Sequence, residues 1–85
     1  MSTIDSAALR GQPLTDHEIQ ILTGVSFGLT DRQIGTQLLV TENTVKYHLK
    51  KIAAKMGTHS RAHMVRLGFV EGYLQLHLTA EERAR

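Results

Sequence analysis

The sequence predicts an all-α fold of four short helices, and three observations carry that prediction. Apolar residues recur at spacings of three and four in two stretches, Ile19–Leu22–Val25 and Val45–Leu49–Ile52–Met56. Thr15–Glu18 and Thr30–Gln33 each place a hydroxyl three residues ahead of a Glu or Gln, the pattern of a capping box at a helix start. Gly28 and Gly57 follow two of these stretches, where a left-handed residue can end a helix. No alternating run or hairpin dipeptide argues for a strand.

Residues 1–13 contain Gly11 and the only proline, Pro13, and lack a sustained period, so they read as a flexible leader. The first helix starts at the Thr15 cap and buries Ile19, Leu22 and Val25, with Phe27 a further candidate before Gly28 stops it. The second starts after Thr30 and is short, with Ile34 and Leu38 facing inward. Gly35 lies between them and costs about 1 kcal/mol of helix propensity relative to alanine. A close helix–helix crossing at Gly35 is the expected reason. Leu39-Val40 lead to Thr41, whose hydroxyl can cap the third helix, about residues 42–56. Glu42 falls in its first turn, where the helix dipole favours a negative charge. Ser60 caps the fourth, expected to run through Tyr73 or beyond. Residues 74–85 are a tail, a helix extension, or a short fifth helix begun by a Thr79–Glu82 capping box.

At 85 residues the chain makes at most one small domain. It has no cysteine, which excludes disulfides and thiolate metal sites and suits a reducing cytoplasm. No apolar run approaches the ~20 residues needed to span a bilayer, and the N-terminus lacks the pattern of a signal peptide. The expected location is therefore cytoplasmic. The net charge is only +2, but between Thr41 and Arg66 six Lys or Arg face one acid, Glu42, while the rest of the chain carries seven acids and four bases. A local basic surface on a near-neutral body points to a polyanion partner. A solvated lysine-rich helix is the competing reading.

The second and third helices are separated by about three residues, and the third has a basic outer face. That is a helix-turn-helix arrangement, and a helix of this kind fits the major groove of B-DNA, about 12 Å wide. Lys46 and Lys50 lie one turn apart and can each donate to guanine O6 and N7. Tyr47 can contact a thymine methyl, donate to a phosphate or simply pack on the helix shoulder. Asn43 can donate to phosphate, read adenine or assist the cap. Arg32, Lys51, Lys55 and Arg61 are phosphate candidates.

Residues 14 to about 70 resemble the LuxR/FixJ (GerE-like) helix-turn-helix domain, which places the domain at 14–73. Three anchors carry the resemblance: Leu14, Thr15 and Glu18; Gly28 to Ile34; and Thr44-Val45-Lys46-Tyr47-His48 followed by Lys55-Met56-Gly57 and Arg61. It implies a four-helix domain with the third helix in the major groove and a dimer paired through the fourth. It also implies base contacts from Lys46, Tyr47 and Lys50. Thr44 and His48 would serve the phosphate backbone or support the helix, with Thr41 beside them. Two positions depart from the family pattern: His17 replaces arginine and Gly35 replaces alanine. Neither is expected to face the groove. Thirteen leader residues are too few for the N-terminal receiver or ligand-binding domain of most family members, so a stand-alone regulator of the GerE kind is expected, with an excised domain the alternative.

Helix 4 of this reading carries two apolar stripes where a surface helix needs one. Met64, Leu67 and Leu74, with Glu71 and a further candidate in Leu78, form the expected dimer face; a tail folded back over them is the alternative. His59 and His63 are four apart, but no third ligand lies near, so no metal, cofactor or catalytic residue is expected. The expected function is a sequence-specific double-stranded DNA-binding transcriptional regulator on an inverted repeat. A module that binds RNA polymerase, a sigma factor or another regulator is the alternative.

Overall fold

A computed structural model describes residues 6–75. The readings that fall on residues 76–85, including Leu78 and the Thr79–Glu82 box, lie outside the described residues. Five helices follow in order: α1 (Ser6–Leu9), α2 (Asp16–Ser26), α3 (Asp31–Leu38), α4 (Glu42–Met56) and α5 (Arg61–Val70). Among the described residues there is no strand. α2 to α5 are the four helices expected from the sequence.

The helix starts are built as their sequences dictate. Thr15 and Thr30 both close full capping boxes, with the hydroxyl accepting from the N–H of Glu18 or Gln33 and that side chain accepting from the cap N–H. Thr41 caps α4 by accepting from the Thr44 N–H, and Ser60 caps α5 by accepting from His63. Each cap satisfies a donor that has no partner inside the helix.

Ile21, Leu22, Ile34, Val45 and Ile52 are fully buried and form the centre of the core, joined by Leu14, Val25, Met64 and Leu74. α4 runs through the middle and packs against every other helix. Phe27 does not join the core. It is the C-cap of α2 and 76% exposed, because the helix has already turned at Gly28 (φ +79°).

The expected close crossing at Gly35 is a different contact. A Cβ there would lie 2.7 Å from the Val40 carbonyl oxygen, so it is the backbone of the α3–α4 turn that presses on Gly35. The tight helix–helix approach is at Gly24, where a Cβ would come within 2.8 Å of Ile34 Cγ1. The turn itself is closed by Leu39 in the left-handed region (φ 60°) with its N–H donating to the Gly35 carbonyl.

α5 ends at Val70, earlier than the sequence suggests. Gly72 turns left-handed (φ +84°), and the N–H groups of Tyr73 and Leu74 both donate to the Gly68 carbonyl at 2.8 and 3.0 Å. This reversal folds Leu74 back beneath Gly68, into the core. The leader stretch is also more engaged than its composition suggests. Ser6–Leu9 form one helical turn against α4, and the Gly11 N–H donates to the Lys55 carbonyl at 2.9 Å.

Candidate nucleic-acid interface

α4 has one face locked and one face open. Val45 and Ile52 are fully buried and Leu49 and Met56 half-buried, which fixes the rotation of the helix about its axis. With 100° per residue, Asn43, Lys46, Tyr47 and Lys50 then fall on the opposite side, and all four are exposed. The structure thus brings the three expected base-contacting residues, Lys46, Tyr47 and Lys50, onto a single outward surface. Lys46 Nζ is paired with Glu42 Oε2 at 3.1 Å, one turn toward the N-terminus. Lys51 is half-buried, with its ammonium 5.8 Å from the centroid of the Tyr47 ring. That contact tethers both side chains on one shoulder of the helix.

One flank of α4 is formed by the start of α3. Gly28 to Arg32, Glu42, Lys46 and Arg61 line a single open groove. Arg61 is exposed but not free. Its guanidinium donates to Asp31 Oδ1 at 2.8 Å and to the Leu29 carbonyl at 3.1 Å. Asp31 therefore orients Arg61 and not its neighbour Arg32, which stands exposed beside it. At the helix tip Thr41 is engaged as the cap and its hydroxyl also meets that of Thr44 at 2.9 Å.

The other flank holds His48 and His17, with ring centroids 4.9 Å apart. His17 thus stands beside α4. His48 is half-buried and its Nδ1 is buried without a hydrogen-bond partner among the described residues. Burial lowers its pKa, and the neighbouring charges of His17 and Lys51 act in the same direction, against a smaller opposing pull from Glu18. The surroundings thus favour the neutral imidazole over the charged one.

Lys55 departs most from its expected role. The sequence suggests a phosphate contact, but Lys55 is only 8% exposed, and its ammonium donates to Glu18 Oε1 at 2.6 Å and to the Pro13 carbonyl at 3.1 Å. No part of that charge faces outward. Burial alone would raise the Glu18 pKa, but the hydrogen bonds from Lys55 and the Thr15 N–H overcome it and the carboxyl titrates below its ordinary value. The pair is a buried tie between α2 and α4. The sequence carried a signal for it. Glu18 stands in the apolar register of Ile21, Leu22 and Val25, and Lys55 in that of Ile52.

The expected dimer face is also altered. Met64, on the inward side of α5, and Leu74, folded back by the reversal at Gly72, belong to the core of the single chain, and only Leu67 (half-buried) and Glu71 (exposed) reach the surface. Phe69 and Val70 are exposed at the end of the same helix. His63 Nδ1 is hydrogen-bonded to the Thr58 hydroxyl at 3.0 Å. Among the described residues no three His, Asp or Glu cluster as metal ligands, and no helix is long and apolar enough to cross a membrane.

This geometry can be set beside known proteins. The family described as "Bacterial regulatory proteins, luxR family" matches residues 12–67. A nitrate/nitrite response regulator protein homolog from Haemophilus influenzae is 42% identical over 48 residues, covering 56% of this chain and 23% of that protein. The HTH-type transcriptional regulator AlkS of Alcanivorax borkumensis is 39% identical over 61 residues, 72% of this chain and 7% of its own length. The transcriptional regulatory protein FixJ of Rhizobium meliloti is 34% identical over 64 residues, 75% of this chain and 31% of its own. The matched region is thus less than a third of each of these relatives. Because the family match spans more than half of the 85 residues, the chain belongs to the luxR family of bacterial regulatory proteins, a DNA-binding family of transcriptional regulators.

Proposed function

We propose that this chain is a sequence-specific DNA-binding module of a cytoplasmic transcriptional regulator, inserting the N-terminal half of α4 into the major groove. The observation that carries the reading is the locked rotation of α4. Val45 and Ile52 are fully buried while Lys46, Tyr47 and Lys50 point outward together. Lys46 and Lys50 donate to guanine edges, and Tyr47 packs against the groove wall or a thymine methyl. Arg32, Asn43, Thr41, Thr44 and Lys51 hold phosphates on either side, and Arg61 does so from its place between Asp31 and Leu29. His48 supports the helix from beneath. The module works as a dimer on an inverted repeat, one α4 per half-site. Leu67 and Glu71 contribute to the contact, with Phe69 and Val70 extending its apolar part.

The test is Lys50→Ala against the preferred site and against random DNA. The variant is expected to lose roughly 1–3 kcal/mol on the preferred site and to relax preference at one base position. Equal affinities of variant and wild type for both DNAs would remove Lys50 from the reading.

A second reading, a module that binds RNA polymerase, a sigma factor or another regulator, draws on Leu39. It is 92% exposed at the helix-turn-helix corner, an apolar side chain that no described residue covers. Salt separates the two. A DNA binder loses affinity with a slope of about −0.9 per neutralised phosphate in log–log form. Absent DNA binding together with salt-tolerant polymerase binding favours the second.

A further inference from the structure

Glu42 is the one acid of α4, and its position is not neutral. It stands one turn before Lys46 and two before Lys50, so the three lie along one line of the outward surface of α4. Its side chain is 44% exposed and faces the groove that also receives Arg32 and Arg61. The ion pair with Lys46 is an exposed one, and such pairs are weak enough to open when either partner finds a better contact. A carboxylate brought among phosphates is repelled unless a hydrogen-bond donor meets it there. Its place in the first turn explains a favourable helix-dipole contact, but the shorter Asp would serve that purpose equally.

We propose that Glu42 is a specificity-determining residue that accepts the N4 amino group of a cytosine next to the guanine read by Lys46. An ionised carboxylate only accepts hydrogen bonds, and Glu42 carries the only one on α4; Asp31, in the same groove, is engaged by Arg61. In the major groove cytosine presents an amino donor, whereas guanine and thymine present the acceptors O6 and O4. Adenine also offers an amino group, but its N7 lone pair lies beside it and opposes the second carboxylate oxygen; cytosine has no such neighbour. The pairing seen in the free protein keeps the Lys46 ammonium and the Glu42 carboxylate side by side, matched to an acceptor and a donor on adjacent base edges.

This inference rests on the DNA-reading role of α4, and the experiment separates the two. Sites are selected from a random DNA pool with the wild-type chain and with Glu42→Gln, then single-base variants are measured by direct binding. The wild-type site is expected to contain a cytosine position at which discrimination falls by about tenfold or more in Glu42→Gln, with other positions unchanged. Glu42→Asp keeps the helix-dipole charge but is one methylene shorter. It is expected to match wild-type melting while losing the cytosine preference, which a purely structural role does not produce. Identical base preferences in wild type and Glu42→Gln, with affinity raised evenly on all sequences, overturn this inference alone. A wild-type chain that selects no common site overturns both readings.

Discussion

Lys55 and Glu18 show how a side chain's task is set by its surroundings more than by its charge. The pair is buried, and removing one partner from such a pair leaves an uncompensated charge, at a cost of about 3–5 kcal/mol. Lys55→Met is therefore expected to lower stability by that order in urea unfolding, with no change in the salt slope of DNA binding beyond what unfolding causes. Glu18→Gln combined with Lys55→Met should recover part of the loss, since glutamine can still accept from the Thr15 N–H. Acid reveals the same groups. The folded state holds His48 below its ordinary 6.5 and Glu18 below its ordinary 4.5. In each case the unfolded chain takes up a proton before the folded one does, so stability falls as pH drops. The contribution of His48 begins to fade below 6.5, and that of Glu18 is lost as pH falls from 4.5 through its lower folded value. Melting temperature followed against pH should show both declines, the first absent in His48→Gln. The faces of His48 that matter here are crowded by His17, Lys51, Glu18 and Tyr47, so His17→Ala should soften the first decline.

At the scale of elements, the α3–α4 turn decides how α4 is presented. Gly35 leaves room for the Val40 carbonyl, and Leu39 carries a left-handed backbone that a branched or long side chain adopts at a cost of roughly 1–2 kcal/mol. Gly35→Ala should force this turn outward, with a stability loss of about 1–3 kcal/mol measured by denaturant unfolding. Leu39→Asn, at the same corner, should be neutral or stabilising by up to about 1 kcal/mol. The helices themselves were legible in the sequence because caps and glycine stops are local: Thr15, Thr30, Thr41 and Ser60 act on residues three positions away. What packs across the chain was not. The reversal at Gly72 that sends Leu74 under Gly68 depends on a space between α2 and α5. No periodicity reports that space, so a buried residue looked like a dimer face. Lys55 misled for a related reason. Its neighbour Lys50 is exposed and Lys51 half-buried, and only the register of Ile52 places Lys55 inside.

For the whole molecule, the fold serves to hold one short helix at a fixed rotation and depth. α4 contacts each of the other helices, and the chain before α2 is tied to its C-terminal end through Gly11, Pro13 and Lys55. The outward face of the N-terminal half of α4, with Asn43, Lys46, Tyr47 and Lys50, is exposed among the described residues. The site residues were readable as a group because they alternate with buried ones at helical spacing. Their electrostatic partners were readable only in part: Glu42 lies in the same turn as Lys46, but Asp31 reaches Arg61 across 30 residues of chain. The most direct measurement is methylation interference on a selected DNA site. Guanine methylated at N7 blocks the major-groove edge, and adenine methylated at N3 blocks the minor groove. The α4 placement predicts that N7 methylation abolishes binding at guanines in each half-site while N3 methylation between them is tolerated. Binding that is indifferent to N7 methylation, or sensitive only to N3, would contradict it.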